Sequence, residues 1–304
     1  MQDKHQAGAG RSRATLLGTA AVLMWSMLAP LTAATRGIPP LQLLAETFGV
    51  AFLCGTAWLL ITGGLSSLRW LRPPLPYVAF TAAALFGYHA LYFVALSLIP
   101  PAPASLIAYL WPLLIVWFAA LVSKGRLVRA RHFLGALLGL VGTAVLVLLG
   151  EGHGFILHQN PFGVVAALAC AVIWSGYSVL NCRFRDVPSD AMVAVCGVVA
   201  VLGWIAHLTI DSQSARPSGI QWLAIAALGV GPVGLAFVAW DHGTKHGDVG
   251  LLGSISYAAP VLSTFLLVVL GYAPASLPLL VAAVLVVAAA WIASRPSDPT
   301  PNAS

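Results

Sequence analysis

Residues 86–112, Phe86-Gly-Tyr-His-Ala-Leu-Tyr-Phe-Val-Ala-Leu-Ser-Leu-Ile-Pro-Pro-Ala-Pro-Ala-Ser-Leu-Ile-Ala-Tyr-Leu-Trp-Pro112, read as two apolar helices joined by almost no loop. One carries an ionisable residue, His89, near its middle. The other carries Tyr109, Trp111 and Pro112 near its middle. Each run is long enough to cross the roughly 30 Å of a bilayer's hydrocarbon. At that depth a polar group or a proline-broken backbone is tolerated only where it faces protein or a watery cavity, so the hairpin is expected to line a path.

The rest of the chain repeats the pattern. Of 304 residues 60% are hydrophobic and 8% charged, against roughly 25% charged in a soluble domain. Apolar runs lie at 14–34, 41–62, 76–98, 101–122, 131–149, 162–182, 190–210, 220–242, 249–270 and 277–294, separated by Pro, Gly and charged residues. This predicts an all-α polytopic membrane protein with ten transmembrane helices. The first run is too long for a cleaved signal peptide and is echoed downstream. With residues 1–13 in the cytoplasm, Arg36 and Arg216 fall outside and every other Lys and Arg falls inside. That is the bias the positive-inside rule demands, and it puts the C-terminal segment 295–304 in the cytoplasm too. The formal net charge of +6 is therefore topological. No aromatic-interleaved basic patch suggests nucleic acid. Four cysteines, Cys54, Cys170, Cys182 and Cys196, sit in or at the ends of apolar runs without CxxC spacing, so neither a disulfide nor a metal site is expected.

An internal repeat organises these spans. Ala21-Val-Leu-Met-Trp-Ser26 resembles Cys170-Ala-Val-Ile-Trp-Ser175, and the same separation lays Leu31 on Leu180 and Arg36 on Arg185. Phe93-Val-Ala95 returns as Phe237-Val-Ala239, and Tyr109-Leu-Trp-Pro112 as Tyr257-Ala-Ala-Pro260. Two halves of five spans follow, 14–149 and 162–294, joined by a periplasmic linker at 150–161. Five is odd, so the second half enters from the opposite side. Inverted-topology repeats of this kind recur in secondary transporters.

Tyr88, His89 and Tyr92 lie within about one helical turn. His89 is either a cavity-lining group or a histidine tying two helices together. Pro112 and Pro260 occupy equivalent places, and each leaves a carbonyl, of Ala108 or Ser256, without its helical donor; these carbonyls can accept an ammonium, or the prolines can simply kink the spans. Pro30 and Pro232 break two further spans. Trp174, Tyr177 or Ser178, and Asn181 form one polar stripe, and Gly253, Ser256, Pro260 and Ser263 another; each either lines the cavity or seats a neighbouring helix. Gly135, Gly139 and Gly142 are assigned to helix packing. Glu46 is read as structural, within reach of Arg36. Asp241, His242, Lys245, His246 and Asp248 form the densest polar cluster, either a solvated turn or a gate at the cytoplasmic end of the eighth span. The candidate substrate-binding residues are thus Tyr88, His89, Tyr92, Trp111, Trp174, Tyr177, Ser256 and Tyr257. The candidate helix-break or gating residues are Pro30, Pro112, Pro232, Pro260 and Asp241.

Trp25-Ser26, Tyr88, Ala108-Tyr-Leu-Trp-Pro112, Ile173-Trp174 with Tyr177 and Asn181, Ala239-Trp-Asp-His-Gly243 with His246-Gly-Asp248, and Ser256-Tyr257-Ala-Ala-Pro260-Val-Leu-Ser263 together resemble the drug/metabolite transporter superfamily, with its two EamA-like repeats. Within it they are most similar to the aromatic amino acid exporters of the YddG type. His89 and Asp241 depart from that pattern, where a carboxylate and an amide are expected. The resemblance implies ten helices around a central cavity, and export from cytoplasm to periplasm across a bacterial inner membrane by alternating access. It also implies an amino acid as the small-molecule partner, and lipid as the surroundings. No cofactor is implied, and a monomer is expected. Aliphatic amino acids, drugs and nucleotide sugars stay open as cargo. An intramembrane enzyme is the reading from another class, but no GxSxG, HExxH or nucleophile and base arrangement supports it.

Overall fold

A computed structural model describes residues 2–99, 101–122, 130–150, 160–211, 213–271 and 274–294. The charged loop with Lys124, Arg126 and Arg129, the segment 151–159 and the tail from Arg295 lie outside the described residues.

All regular structure among the described residues is helical. The first half comprises α1 (Gln2–Trp25), α2 (Leu28–Ala33), α3 (Pro40–Gly63), α4 (Leu75–Leu98), α5 (Pro101–Ala108), α6 (Trp111–Val122) and α7 (Ala130–Gly150). The second comprises α8 (Pro161–Leu180), α9 (Met192–Ile210), α10 (Gly219–Leu228), α11 (Ala236–His246), α12 (Val249–Ile255), α13 (Ala258–Val269) and α14 (Leu277–Ser294). Among the described residues seven helical stretches are long and apolar enough to cross a membrane, and Trp111–Val122, Ala130–Val145 and Leu277–Ala293 are shorter apolar helices. Many large apolar side chains point outward, including Leu16, Ile61, Leu65 and Phe162 at 70–81% exposure. Such a surface is stable against lipid and not against water, so the chain is a multi-pass membrane protein.

Prolines explain where these helices break. Pro30, Pro112 and Pro260 each stand at the second or third residue of the shorter helix that follows an interruption, α2, α6 and α13. There a missing N–H costs nothing, because the first turn has no intrahelical acceptor to satisfy. Pro232 is handled differently. It sits inside a π-helical segment, Gly229–Leu235, that joins α10 to α11 without a break. The wider turn takes up the missing donor, a common device at functional positions.

The packing mirrors the sequence repeat. α4 lies on α8 and α1 on α11, a pair of contacts that exchange when the halves are swapped. α3 on α9 and α7 on α14 each map onto themselves, while α6 rests on α12. Glycines set the last seam, where Gly135 faces Ala289 and Ala293 of α14 and Gly142 faces Ala282 and Leu285. Those two serve packing, as expected of their spacing.

The broken helices and the α1/α11 and α4/α8 pairs surround a central space. Its two ends differ, and that difference defines the site.

Candidate functional site

A cavity of about 470 Å³ opens between the halves, a size suited to a small molecule. It is walled by Trp25, Leu28 and Thr32 of α1 and α2, Leu44, Thr47 and Phe48 of α3, and Tyr88, His89, Tyr92 and Phe93 of α4. Ser105, Ala108, Tyr109 and Trp111 complete the first half's share, and Trp174, Val233, Phe237 and Ser263 come from the second. On α1 and α4 these are the late residues of the helix, and on α11 an early one. Most of the wall therefore lies in the half of the molecule remote from the start of α1, with Trp174 and Phe237 past the middle of their spans.

Four tryptophans close the floor. Trp25, Trp111, Trp174 and Trp240 are all in mutual contact, with ring centroids from 5.0 Å for Trp25 and Trp240 to 6.4 Å for Trp25 and Trp111. Edge-to-face pairing favours such a cluster beyond the area it buries. The indole N–H of Trp25 donates to the carbonyl of Pro232 at 2.9 Å, so the π-helical segment holds the ring. Trp240, fully buried, donates to Ser178 Oγ at 3.1 Å. Ser175 Oγ donates to the carbonyl of Trp111 at 2.9 Å and also reaches that of Ala171, tying α8 to the break between α5 and α6.

Beneath the floor the structure is tightly bonded. Lys245 Nζ lies 2.8 Å from Asp241 Oδ2 and 2.9 Å from the carbonyl of Val187, to which it donates. Tyr77 Oη and Asn181 Nδ2 donate to Asp241 Oδ1 at 3.1 and 3.0 Å, and the Lys245 ammonium sits 4.5 Å from the centre of the Tyr77 ring. Asp241 and Lys245 are 0% and 1% exposed. The cluster at 241–248 is therefore no solvated turn at its first end. It is a buried bolt joining α4 and α11 to the segment that follows α8. Arg11 and Asp248, paired at 2.9 Å, add an exposed link from α1 to the start of α12.

The candidate residues separate accordingly. Tyr88, His89, Tyr92, Trp111 and Trp174 come together on the cavity wall. Tyr88 and Tyr92 stack at 6.2 Å, and Tyr92 Oη lies 2.8 Å from Ser105 Oγ. Tyr177, Ser256 and Tyr257 are placed elsewhere. Tyr177 is 2% exposed and packs on Phe80 and Trp174. Ser256 spends its hydroxyl on the carbonyl of Leu252. Tyr257 is seated against Gly139, where a Cβ would come within 2.5 Å of its ring, so this glycine of α7 makes room for an aromatic side chain of a neighbouring span. The Ser256 carbonyl, expected to be free, accepts the N–H of Ala259 at 3.1 Å because the chain tightens at the break. Glu46 pairs with Gln42 at 2.8 Å and not with Arg36.

Phe48, Phe237, Ser105 and Tyr77 have no place in the sequence reading of the site, whereas Tyr109 stands on the cavity wall as its depth in the hairpin implies. Phe237 was visible as the repeat mate of Phe93. Nothing in the spacing marks Phe48 or Tyr77, whose roles depend on which helices become neighbours.

Comparison with known proteins agrees with this architecture. The model of the EamA-like transporter family matches twice, at residues 12–148 and 161–295. The aromatic amino acid exporter YddG of Ancylobacter novellus is 50% identical over 286 residues, which are 93% of this chain and 98% of that protein. The protein of the same name from Escherichia coli K12 is 27% identical over 94% of this chain and 99% of its own. A solved crystal structure at 48% identity superposes with a TM-score of 0.88, covering 93% of this chain and 97% of that one.

Proposed function

The chain belongs to the EamA-like transporter family, and from that premise we propose that it exports amino acids, aromatic ones by preference, by alternating access through the cavity between its halves. The observation that carries the reading is the cavity itself. Its wall is built from tyrosine, tryptophan and phenylalanine rings edged by a few hydroxyls and one imidazole, open at one end and sealed at the other by indoles and a buried ion pair. Such a wall stacks on a flat side chain and leaves small polar groups for the zwitterion. The relatives named as aromatic amino acid exporters support the same cargo.

The proposal includes ten crossings in two inverted halves, 14–149 and 162–294, with both termini in the cytoplasm of a bacterial cell and the chain in its inner membrane. The charge bias of the loops supports that orientation. The cavity then faces the periplasm, and the state described is the one that releases cargo. The protein works as a monomer without metal or cofactor. Cysteines introduced one at a time into 152–159 are expected to react with an impermeant maleimide in intact cells, and those in 124–129 only after permeabilisation. Labelling of 124–129 from outside would invert the assignment.

Transport is tested in proteoliposomes by counterflow of radiolabelled phenylalanine. Ring stacking of roughly 0.5–1.5 kcal/mol is worth up to about tenfold, so tryptophan and phenylalanine should compete up to about tenfold better than threonine. Trp111→Ala should weaken the aromatic competitors more than threonine. Equal competition by all three in the unaltered protein contradicts the aromatic preference, and competition by a nucleotide sugar alone contradicts the cargo class.

A further inference from the structure

The wall of the cavity has an odd charge balance for a site that takes a zwitterion. Among its described lining residues there is no Asp, Glu, Lys or Arg. The ammonium of an amino acid must be met by something, and the Ser256 carbonyl considered from sequence is already engaged by Ala259. Besides the Ala108 carbonyl and a few hydroxyls, the wall offers one imidazole, whose neutral ring nitrogen is the most basic acceptor among them.

That group is His89. Its Nδ1 lies 2.7 Å from the carbonyl oxygen of Leu85, one helical turn earlier. A carbonyl only accepts, so Nδ1 must carry the proton of that bond. Fixing the proton at Nδ1 leaves the lone pair of an uncharged imidazole at Nε2. The ring is gripped by Phe48 and Tyr88, with edge-on centroid distances of 5.6 and 5.4 Å, and by Phe237 at 6.4 Å. Neither rotation of the ring nor exchange of the two nitrogens is free. Nε2 has no protein partner among the described residues, and the side chain lines the cavity. No carboxylate on the wall would balance an imidazolium there.

We propose that His89 is the specificity-determining acceptor of the site: its tautomer is locked by the Leu85 carbonyl so that Nε2 receives an N–H of the substrate's ammonium. The cargo is thereby restricted to flat apolar molecules bearing a free primary amine. The carboxylate is secondary, met only by hydroxyls such as the Tyr92 and Ser105 pair. This inference rests on the transport reading above and adds to it a chemical class, aryl-alkyl amines as well as aromatic amino acids. N-acylated and deaminated analogues are excluded.

The test uses purified full-length protein in proteoliposomes, with phenylalanine counterflow competed by phenethylamine, N-acetylphenylalanine and 3-phenylpropionate. Phenethylamine is expected to compete within about threefold of phenylalanine, and the two compounds without a free amine at least about tenfold worse, the loss of one charge-assisted hydrogen bond. His89→Leu, which keeps bulk and removes the acceptor, should erase that discrimination. His89→Gln, whose Oε1 reaches the place of Nε2, should restore most of it. If 3-phenylpropionate competes as well as phenylalanine and phenethylamine does not, His89 acts as a donor to carboxylate and the proposal falls. Unchanged discrimination in His89→Leu overturns it too. Should phenylalanine not be carried at all, the transport reading fails separately. Binding of phenethylamine against 3-phenylpropionate, read by quenching of the indole cluster in detergent-purified protein with and without His89→Leu, still decides the role of His89.

Discussion

Asp241→Ala is expected to destabilise the protein by about 3–5 kcal/mol, the usual cost of stranding one member of a buried ion pair. Lys245 would keep only the Val187 carbonyl and the face of Tyr77 in a place with no access to solvent. Tyr77 and Asn181 would lose their common acceptor in the same step. The double substitution Asp241→Leu with Lys245→Met leaves no uncompensated charge and should recover most of the stability, since a packed apolar replacement of a buried pair is often neutral. It should not recover transport. The bolt ties α4 and α11 to the segment that follows α8 on one side of the indole floor, and the repeat that lays Phe93 on Phe237 puts Ser97 and Pro101 where Asp241 and Lys245 stand. Among the described residues the ion pair at the other end is His207–Asp211, at the C-terminus of α9, and nothing there corresponds to the Asp241–Lys245 bolt; that asymmetry accounts for the cavity standing open at that end. Without the bolt that bias is lost, and counterflow should fall by about tenfold or more although the protein folds. Thermal unfolding of the purified variants, followed by tryptophan fluorescence, reads the first effect. A single variant as stable as the parent, or a double variant no better than the single, would refute the account.

The sequence made the architecture legible because the bilayer leaves so few options. Uncharged runs, their lengths and the placement of Lys and Arg name helices, and a repeat with conserved order pairs them. The site is half legible for the same reason: His89 and Trp111 stand out as costly groups at depth, Tyr88 and Tyr92 share a helical turn with His89, Trp174 heads a polar stripe, and all five converge on one wall. Depth does not say which way a residue points. Ser256 and Tyr257 shared that depth and the same repeat relation, yet one bonds its own helix and the other fills the recess opposite Gly139. Lys245, and Tyr77 beside it, are hidden from the sequence for the opposite reason. Both stand close to helix ends, where a polar residue ordinarily reaches water, and only the meeting of α4 with α11 encloses them.

The same meeting of helices yields a prediction that distinguishes two glycines in one contact. Gly18 of α1 and Gly243 of α11 face each other across the sealed end, Gly243 standing two residues before Lys245 on the second helix. A Cβ on Gly243 would lie 2.7 Å from the Cα of Gly18 and 3.1 Å from its nitrogen, backbone atoms that cannot step aside unless the helix moves. On Gly18 a Cβ would meet the two terminal methyls of Leu252 at 2.8 Å, which a rotamer change can withdraw, and the Cα of Gly243 at 3.3 Å. Gly243→Ala should therefore force α1 off α11 at a cost of about 1–3 kcal/mol, the range for overpacking a close-fitted interior. Gly18→Ala should cost clearly less, because a flexible side chain absorbs most of the intrusion. Gly176→Ala on α8, where nothing lies within 4 Å of the added methyl, is the control and should be neutral or slightly stabilising, since alanine is the better helix former. The displacement in Gly243→Ala falls on the seam that keeps the lower end shut, so its transport defect should exceed what the stability loss alone explains. The comparison is made on counterflow rates at matched protein amounts well below the unfolding temperature. If Gly18→Ala proves the more damaging of the two, α1 and α11 do not approach as described, and the account of how the sealed end is held shut fails with them.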